Sequence, residues 1–218
     1  MRFRDRAEAG RCLAERLLHL RDAQPVVLAL PRGGVPVGLA VAKALGAPLD
    51  LLMVRKIGAP GDPEYGIGAV VDGHQPEMIL DEETVRELRV SRGYIEQQRA
   101  RELAEMRRRH ALYLRGRPPV SLEGRTVILV DDGIATGVTV RAALVGLQRS
   151  GAARRVLAAP VAPPETAEAL RPSCDEAVFL DEPELFYAVG AFYDDFHQVS
   201  DAEVIELLDW AAASKRMG

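Results

Sequence analysis

Two cysteines, Cys12 and Cys174, are all that the 218 residues contain, and they have neither metal-ligand spacing nor the number a disulfide framework needs. They are expected to be small, buried apolar residues in a reducing cytoplasm. Long hydrophobic runs are missing as well. VVLAL (26–30) and LVGL (144–147) fall far short of the roughly 18 residues a membrane span needs. The opening segment MRFRDRAEAG has no apolar stretch of the kind a secretory signal requires. There is no surplus of positive charge: the formal net charge is −4, which argues against a nucleic-acid partner. His19, His74, His110 and His197 have no mutual spacing like that of a zinc site or a catalytic triad. No Gly-x-Ser-x-Gly elbow occurs, and GGVPVG is not followed by Gly-Lys-Ser/Thr, so a serine hydrolase and a Walker loop are both excluded. Lysine is scarce: Lys43, Lys56 and Lys215 are the whole supply, so each merits attention.

What is present is a chain 48% hydrophobic and 28% charged, able to bury a core. The length suits a single domain over 1–218, with an inserted hairpin and charged helices at about 67–115. Asp5 and Glu8 have capping-box spacing before apolar residues at helical intervals, so a helix is expected over 6–21. Continuously apolar runs at 26–30, 49–54, 126–130, 154–162 and 176–180 read as strands covered on both faces. Helical segments separate most of them, the βαβ pattern of a largely parallel sheet. RKIGAPGDPEYG (55–66) reads as a long, mobile loop, and 67–71 with 77–80 as a hairpin. From Asp81 to Leu114 the chain is helical and charged, split near Ser91 and Gly93, and is expected to serve as a hood or dimer contact. The run Arg107–Arg109 within it reads as a solvated face. Ser200 and Glu203 form a second capping box before the last helix.

The strongest chemical signal is VILVDDGIATGVT, residues 127–139. A buried strand delivers Asp131 and Asp132 to its carboxyl end, where ligands bind in open α/β sheets. Gly133, Ile134, Ala135, Thr136 and Gly137 then form a loop of mostly small residues, followed by Thr139 in a helix whose N-terminus favours an anion. Anion donors beside paired acceptors suit a sugar phosphate: the loop takes the phosphate and the acids take ribose hydroxyls. Arg32, Gly33 and Gly34 break the first strand, where an Arg fork and close backbone approach suit a second phosphate group.

The stretch 127–139 resembles the phosphoribosyl-pyrophosphate (PRPP) motif of type I phosphoribosyltransferases: four apolar residues, two acids, then a small-residue loop with Thr-Gly. The resemblance extends over nearly the whole chain and is nearest to bacterial phosphoribosyltransferase-domain proteins without an assigned substrate. It implies an α/β fold, a five-stranded, mostly parallel sheet flanked by helices, with a helical insertion or hood. It implies pyrophosphate binding by Arg32, Gly33 and Gly34, often through a non-proline cis peptide. It also implies a loop closing over the substrate, with Arg55 and Lys56 on the leaving group and Glu64 and Tyr65 as further contacts. FYAVGAFYDDF (186–196) resembles the Val-Gly segment of purine enzymes. There Phe186 or Tyr187 would stack on the base, backbone at Val189 and Gly190 would read its edge, and Asp194 or Asp195 would join Asp131 and Asp132 as a magnesium ligand. The expected function is transfer of the phosphoribosyl group of PRPP to a nitrogen acceptor, with a purine-like base as the candidate, by a cytoplasmic homodimer. In that reaction Asp131 or Asp132 stabilises a sugar-cation-like transition state, while Arg32 and Lys56 offset leaving-group charge. The alternative is a PRPP or nucleotide sensor on the same fold, without catalysis.

Overall fold

A computed structural model describes residues 1–72 and 76–214, of Glu64 and Ser214 the backbone alone. His74 and Lys215 lie outside the described residues. The strands in chain order are β1 (Pro25–Ala29), β2 (Leu49–Leu51), β3 (Val54–Ala59), β4 (Asp62–Val71), β5 (Glu77–Leu80), β6 (Thr126–Val130), β7 (Arg154–Val161) and β8 (Glu176–Asp181). The helices are α1 (Arg6–Leu17), α2 (Gly34–Leu45), α3 (Glu82–Glu87), α4 (Arg92–Leu114), α5 (Val138–Leu147), α6 (Pro164–Leu170) and α7 (Asp201–Ser214).

The apolar runs pair as a five-stranded sheet in the order β2-β1-β6-β7-β8, every pairing parallel. Each of β1 and β6 is buried along its whole length because helices cover both faces. Alternation along the strands divides the core. Val26, Leu28, Val127 and Leu129 pack with Leu144 and Leu170 from α5 and α6. Val27, Ile128 and Val130 pack with Leu13, Leu17, Val37 and Val41 from α1 and α2.

The expected mobile loop at 55–66 is instead regular structure. β3 and β4 pair antiparallel across a turn at Pro60-Gly61, and β5 adds to β4, giving a separate three-stranded sheet. This second sheet begins at Val54, ahead of the hairpin expected at 67–80. Ile57, Ala59, Ile67 and Ala69 are buried and anchor the hairpin. Of its glycines, Gly61 makes the turn and Gly58 sits at a bulge. The register shifts on either side of Gly58, and a Cβ there would stand 2.5 Å from the Pro63 carbonyl oxygen.

The charged insertion splits as its caps dictate. Asp81 accepts from the Thr84 N–H and Ser91 from the Tyr94 N–H. Gly93 falls inside α4 and does not mark the break. α4 braces the hairpin: the Tyr94 hydroxyl donates to the Gly58 carbonyl at 3.0 Å, and Arg55 pairs with Glu102 at 2.8 Å. Arg108 and Arg109 are spent on their own helix, both bonding Glu105 and holding its carboxyl down at about 2.

His110 of α4 pairs with Asp72 at the end of β4, and this contact raises the imidazole's pKa, with nearby Asp50 adding to the pull. A raised folded pKa means that the pair's contribution is fully present below the unfolded value of about 6.5 and is lost as pH rises through the folded value. Thermal melts from about pH 6 to 9 should show His110→Gln costing on the order of 1 kcal/mol at the acid end and little at the alkaline end. A cost independent of pH would contradict the assignment.

Candidate active site

The strand order creates the site. From β1 the chain turns through α2 to β2 on one side, and from β6 through α5 to β7 on the other. The crevice beyond the carboxyl ends of β1 and β6 is thus the topological switch point, where open α/β sheets bind ligands. A cleft of about 520 Å³ lies there, lined by Arg6, Leu30–Gly33, Asp131, Asp132, Thr139, Phe196, Gln198 and Val199.

Asp131 and Asp132 sit where the buried strand β6 delivers them. The Asp132 N–H donates to Asp131 Oδ1 at 2.9 Å, and the Tyr193 hydroxyl donates to the Asp132 carbonyl at 2.5 Å. Arg6, the first residue of α1, places Nε 2.7 Å from Asp132 Oδ2. Both side chains of that pair are largely buried, at 8% and 13% exposure, so removing one partner would cost about 3–5 kcal/mol. Burial raises the Asp131 carboxyl well above its usual range, and the charge of Asp132 beside it raises it further. Burial also lifts Asp132, but the Arg6 guanidinium pulls against it. The rise is the greater for Asp131, whose neighbour is a like charge, than for Asp132, whose neighbour is the Arg6 guanidinium.

The turn after β1 packs directly on these acids. A Cβ on Gly33 would stand 2.1 Å from Asp132 Oδ2, and one on Gly34 2.7 Å from the Val130 carbonyl oxygen. The two glycines let the turn and the acid pair share one small volume. The Pro31–Arg32 peptide is cis, as the resemblance implied. Arg32 lies on the cleft wall, 3.6 Å from Asp201 at the start of α7. Asp201 also accepts from the Tyr113 hydroxyl at 2.6 Å; burial first, and then this bond, push that phenol up to about 12. Gly34 itself is no anion donor: it is buried, and its N–H closes the turn on the Leu30 carbonyl at 3.0 Å.

In the loop after β6, Gly137 adopts φ +72° and precedes α5, whose first-turn N–H groups have no acceptor within the helix. Ala135, Thr136 and Thr139 are exposed beside them, and Thr139 lines the cleft. Ile134 departs from expectation. Its N–H donates to the Val161 carbonyl at 2.9 Å and its side chain is buried, so it anchors the loop rather than an anion. Gly133 is likewise a packing position, with Val189 and Val161 closed over it.

Other expected site residues lie away from the cleft. Phe186 stacks on Phe192 at 5.4 Å and Tyr187 is 87% exposed, and neither lines the cleft. Val189 covers Gly133, and Gly190 lies beneath the Phe196 ring, so the wall on this side is Phe196, Gln198 and Val199. Asp194 and Asp195 are turned to other partners: Asp194 pairs with Arg2 at 2.6 Å and Asp195 with His197 at 3.0 Å. Neither joins the acid pair, because the strand-like contact of Phe3 with Tyr193 draws this segment against the N-terminus. Arg55 and Lys56 lie on β3 outside the cleft wall, Arg55 held by Glu102. Tyr65, in the same hairpin, is exposed.

Arg6, Tyr193, Phe196, Gln198 and Val199 went unrecognised as site residues in the sequence. The one available signal was Arg6 itself, a cation in a helix's first turn, where the macrodipole disfavours it.

Fold and site together define a class. Residues 5–197 match the family model of the phosphoribosyl transferase domain, and the chain belongs to that family. It is 44% identical over 209 residues to two Mycobacterium tuberculosis proteins named "Putative phosphoribosyl transferase Rv0571c" and "Putative phosphoribosyl transferase MT0597". The match takes in 96% of this chain and 47% of theirs, so the chain spans about half the length of these curated relatives. Among solved structures, TT1426 from Thermus thermophilus is 47% identical with a TM-score of 0.83, over 95% of this chain and 98% of that one. No helix among the described residues is long and apolar enough to cross a membrane.

Proposed function

We propose that this chain is a cytoplasmic enzyme that transfers the 5-phosphoribosyl group of PRPP to a nitrogen acceptor and releases pyrophosphate. The observation that carries this reading is the facing of Asp131 and Asp132 by the N-terminus of α5 on one side and the Arg32–Gly33 turn on the other, in one switch-point cleft. The 5-phosphate fits the N–H groups and hydroxyls of 135–139. Ribose hydroxyls fit the acid pair, whose carboxylate oxygens accept from them. Pyrophosphate fits the Arg32 turn, and Arg32 offsets charge as the C1–oxygen bond lengthens. Lys56 would add to this only with the β3–β4 hairpin drawn over the cleft. The acceptor enters beside Phe196 and Gln198, and a flat nitrogen heterocycle such as a purine suits that wall better than an aliphatic amine.

Magnesium suits this arrangement in a particular way. No cluster of three or more metal-ligating side chains occurs among the described residues. A magnesium ion commonly uses one or two carboxylates together with phosphate oxygens, and Asp131 with Asp132 supplies that number. Bound there with PRPP, the ion would neutralise pyrophosphate charge. The chain's own contribution is to orient the ribose and the leaving group.

The test is steady-state pyrophosphate release from PRPP with a panel of purines, pyrimidines and aliphatic amines. Turnover with at least one heterocycle is expected. PRPP binding without turnover on any acceptor would replace the enzyme by a sensor.

A further inference from the structure

Arg6 stands where helix formation argues against it. It is the first residue of α1, directly after the Asp5 cap, at the helix end that is already positive. Among the described residues it is nonetheless one of three polar or charged side chains that are buried, with Asp50 and Thr126. Three contacts fix its guanidinium. Nε lies 2.7 Å from Asp132 Oδ2, a second N–H donates to the His197 carbonyl at 2.8 Å, and the Phe196 ring centroid is 3.9 Å away. The same Asp132 oxygen is closed in by Gly33, where even a Cβ would come within 2.1 Å. The place on Oδ2 that a hard cation would take is therefore filled by a group that never loses its charge.

We propose that Arg6 is the resident counter-cation of the acid pair, a positioning residue that keeps divalent ions off Asp132 unless a phosphate ligand brings one. Two adjacent carboxylates at a strand end form an attractive oxygen site for a bare divalent ion. An ion parked there would hold the carboxylates that the ribose hydroxyls need. The fixed guanidinium compensates Asp132 without occupying the sugar's space, because it lies between Phe196 and the carboxylate and is rooted in α1. A flexible ammonium would provide the charge but not the stacked, forked geometry. This inference deepens the phosphoribosyltransferase reading and rests on it only for the identity of the phosphate ligand.

The experiment titrates Mn²⁺, without phosphate, into the wild type, Arg6→Gln and Arg6→Lys, following free Mn²⁺ by electron paramagnetic resonance. The wild type is expected to leave Mn²⁺ free up to about 1 mM, and Arg6→Gln to bind it about tenfold tighter or more, since the place on Asp132 Oδ2 that Arg6 fills is then open to the ion. Arg6→Lys should restore only part of the exclusion, because the ammonium lacks the stacked, forked geometry, and adding Asp132→Asn to Arg6→Gln should abolish the new uptake. Equal Mn²⁺ uptake by the wild type and a folded Arg6→Gln would overturn the proposal. If circular dichroism finds Arg6→Gln unfolded, Phe196→Leu decides: it removes the ring beside the guanidinium and should raise Mn²⁺ uptake measurably, whereas no rise overturns the proposal. A parallel titration of the wild type with PRPP and Mg²⁺ separates the two readings. Absence of PRPP binding would remove the phosphoribosyltransferase assignment and leave the Mn²⁺ comparison to decide Arg6 on its own.

Discussion

Replacing Asp131 and Asp132 together by asparagine is expected to weaken PRPP binding by about a hundredfold or more and to bring turnover to background. Hydrogen bonds to charged groups contribute about 1.5–3 kcal/mol each, so losing two of them reaches that size. The fold should survive. Asparagine keeps an oxygen that can accept from Arg6 Nε and from the Asp132 N–H, and the surrounding strand is buried along its whole length regardless. Calorimetry with PRPP and Mg²⁺ checks the affinity, and thermal melting checks the fold. Unchanged affinity in the double variant would remove the acid pair from the site.

The second large effect is expected from one methyl group. In Gly33→Ala the new Cβ would fall 2.1 Å from Asp132 Oδ2. Either the turn after β1 or the carboxylate must move. The carboxylate is the softer element, but its movement breaks the 2.7 Å bond to Arg6. Loss of PRPP affinity of about tenfold or more should follow from the misplaced acceptor, with a smaller fall in melting temperature than in ligand affinity. A Gly33→Ala variant with full affinity and an intact Arg6 pair would contradict the close packing of turn and acids.

The two effects have one origin, the convergence of β1 and β6 at their carboxyl ends. Half of that convergence was legible in the sequence. The run 126–139 declares a strand, two acids, a loop and a helix, and its geometry follows from local rules alone. The caps at Asp5, Ser91 and Ser200 were equally legible, because each depends on residues within three positions of one another. The Arg32–Gly33 turn was legible as a break, and as a pyrophosphate loop from the family resemblance; its contact with Asp132 joins positions far apart in the chain and was not legible.

What could not be read depends on distance along the chain. Arg6 and Asp132 are 126 residues apart, and the Arg6 bond to the His197 carbonyl spans 191. No periodicity joins them; they meet where Phe3 pairs with Tyr193 and the Tyr193 hydroxyl bonds the Asp132 carbonyl at the end of β6. The same pairing moves Phe196 and Gln198, rather than Phe186 and Tyr187, to the cleft. At 55–66, glycine and proline were read as loop residues because local propensity favours turns there. Burial of Ile57 and Ile67 in one cluster with residues of α4 and α7 overrode that propensity, leaving Gly61 in the turn and Gly58 at a bulge. On α4 the charged face was legible as such, and the structure adds that Arg108 and Arg109 both pair with Glu105.

The most direct test of the central claim is a crystal structure with a purine nucleoside 5′-monophosphate bound. The account predicts the phosphate against the N–H groups and hydroxyls of 135–139, the ribose hydroxyls on Asp131 and Asp132, and the base beside Phe196 and Gln198. A nucleotide whose phosphate lies elsewhere, with the acid pair untouched and still closed on Arg6, would contradict it.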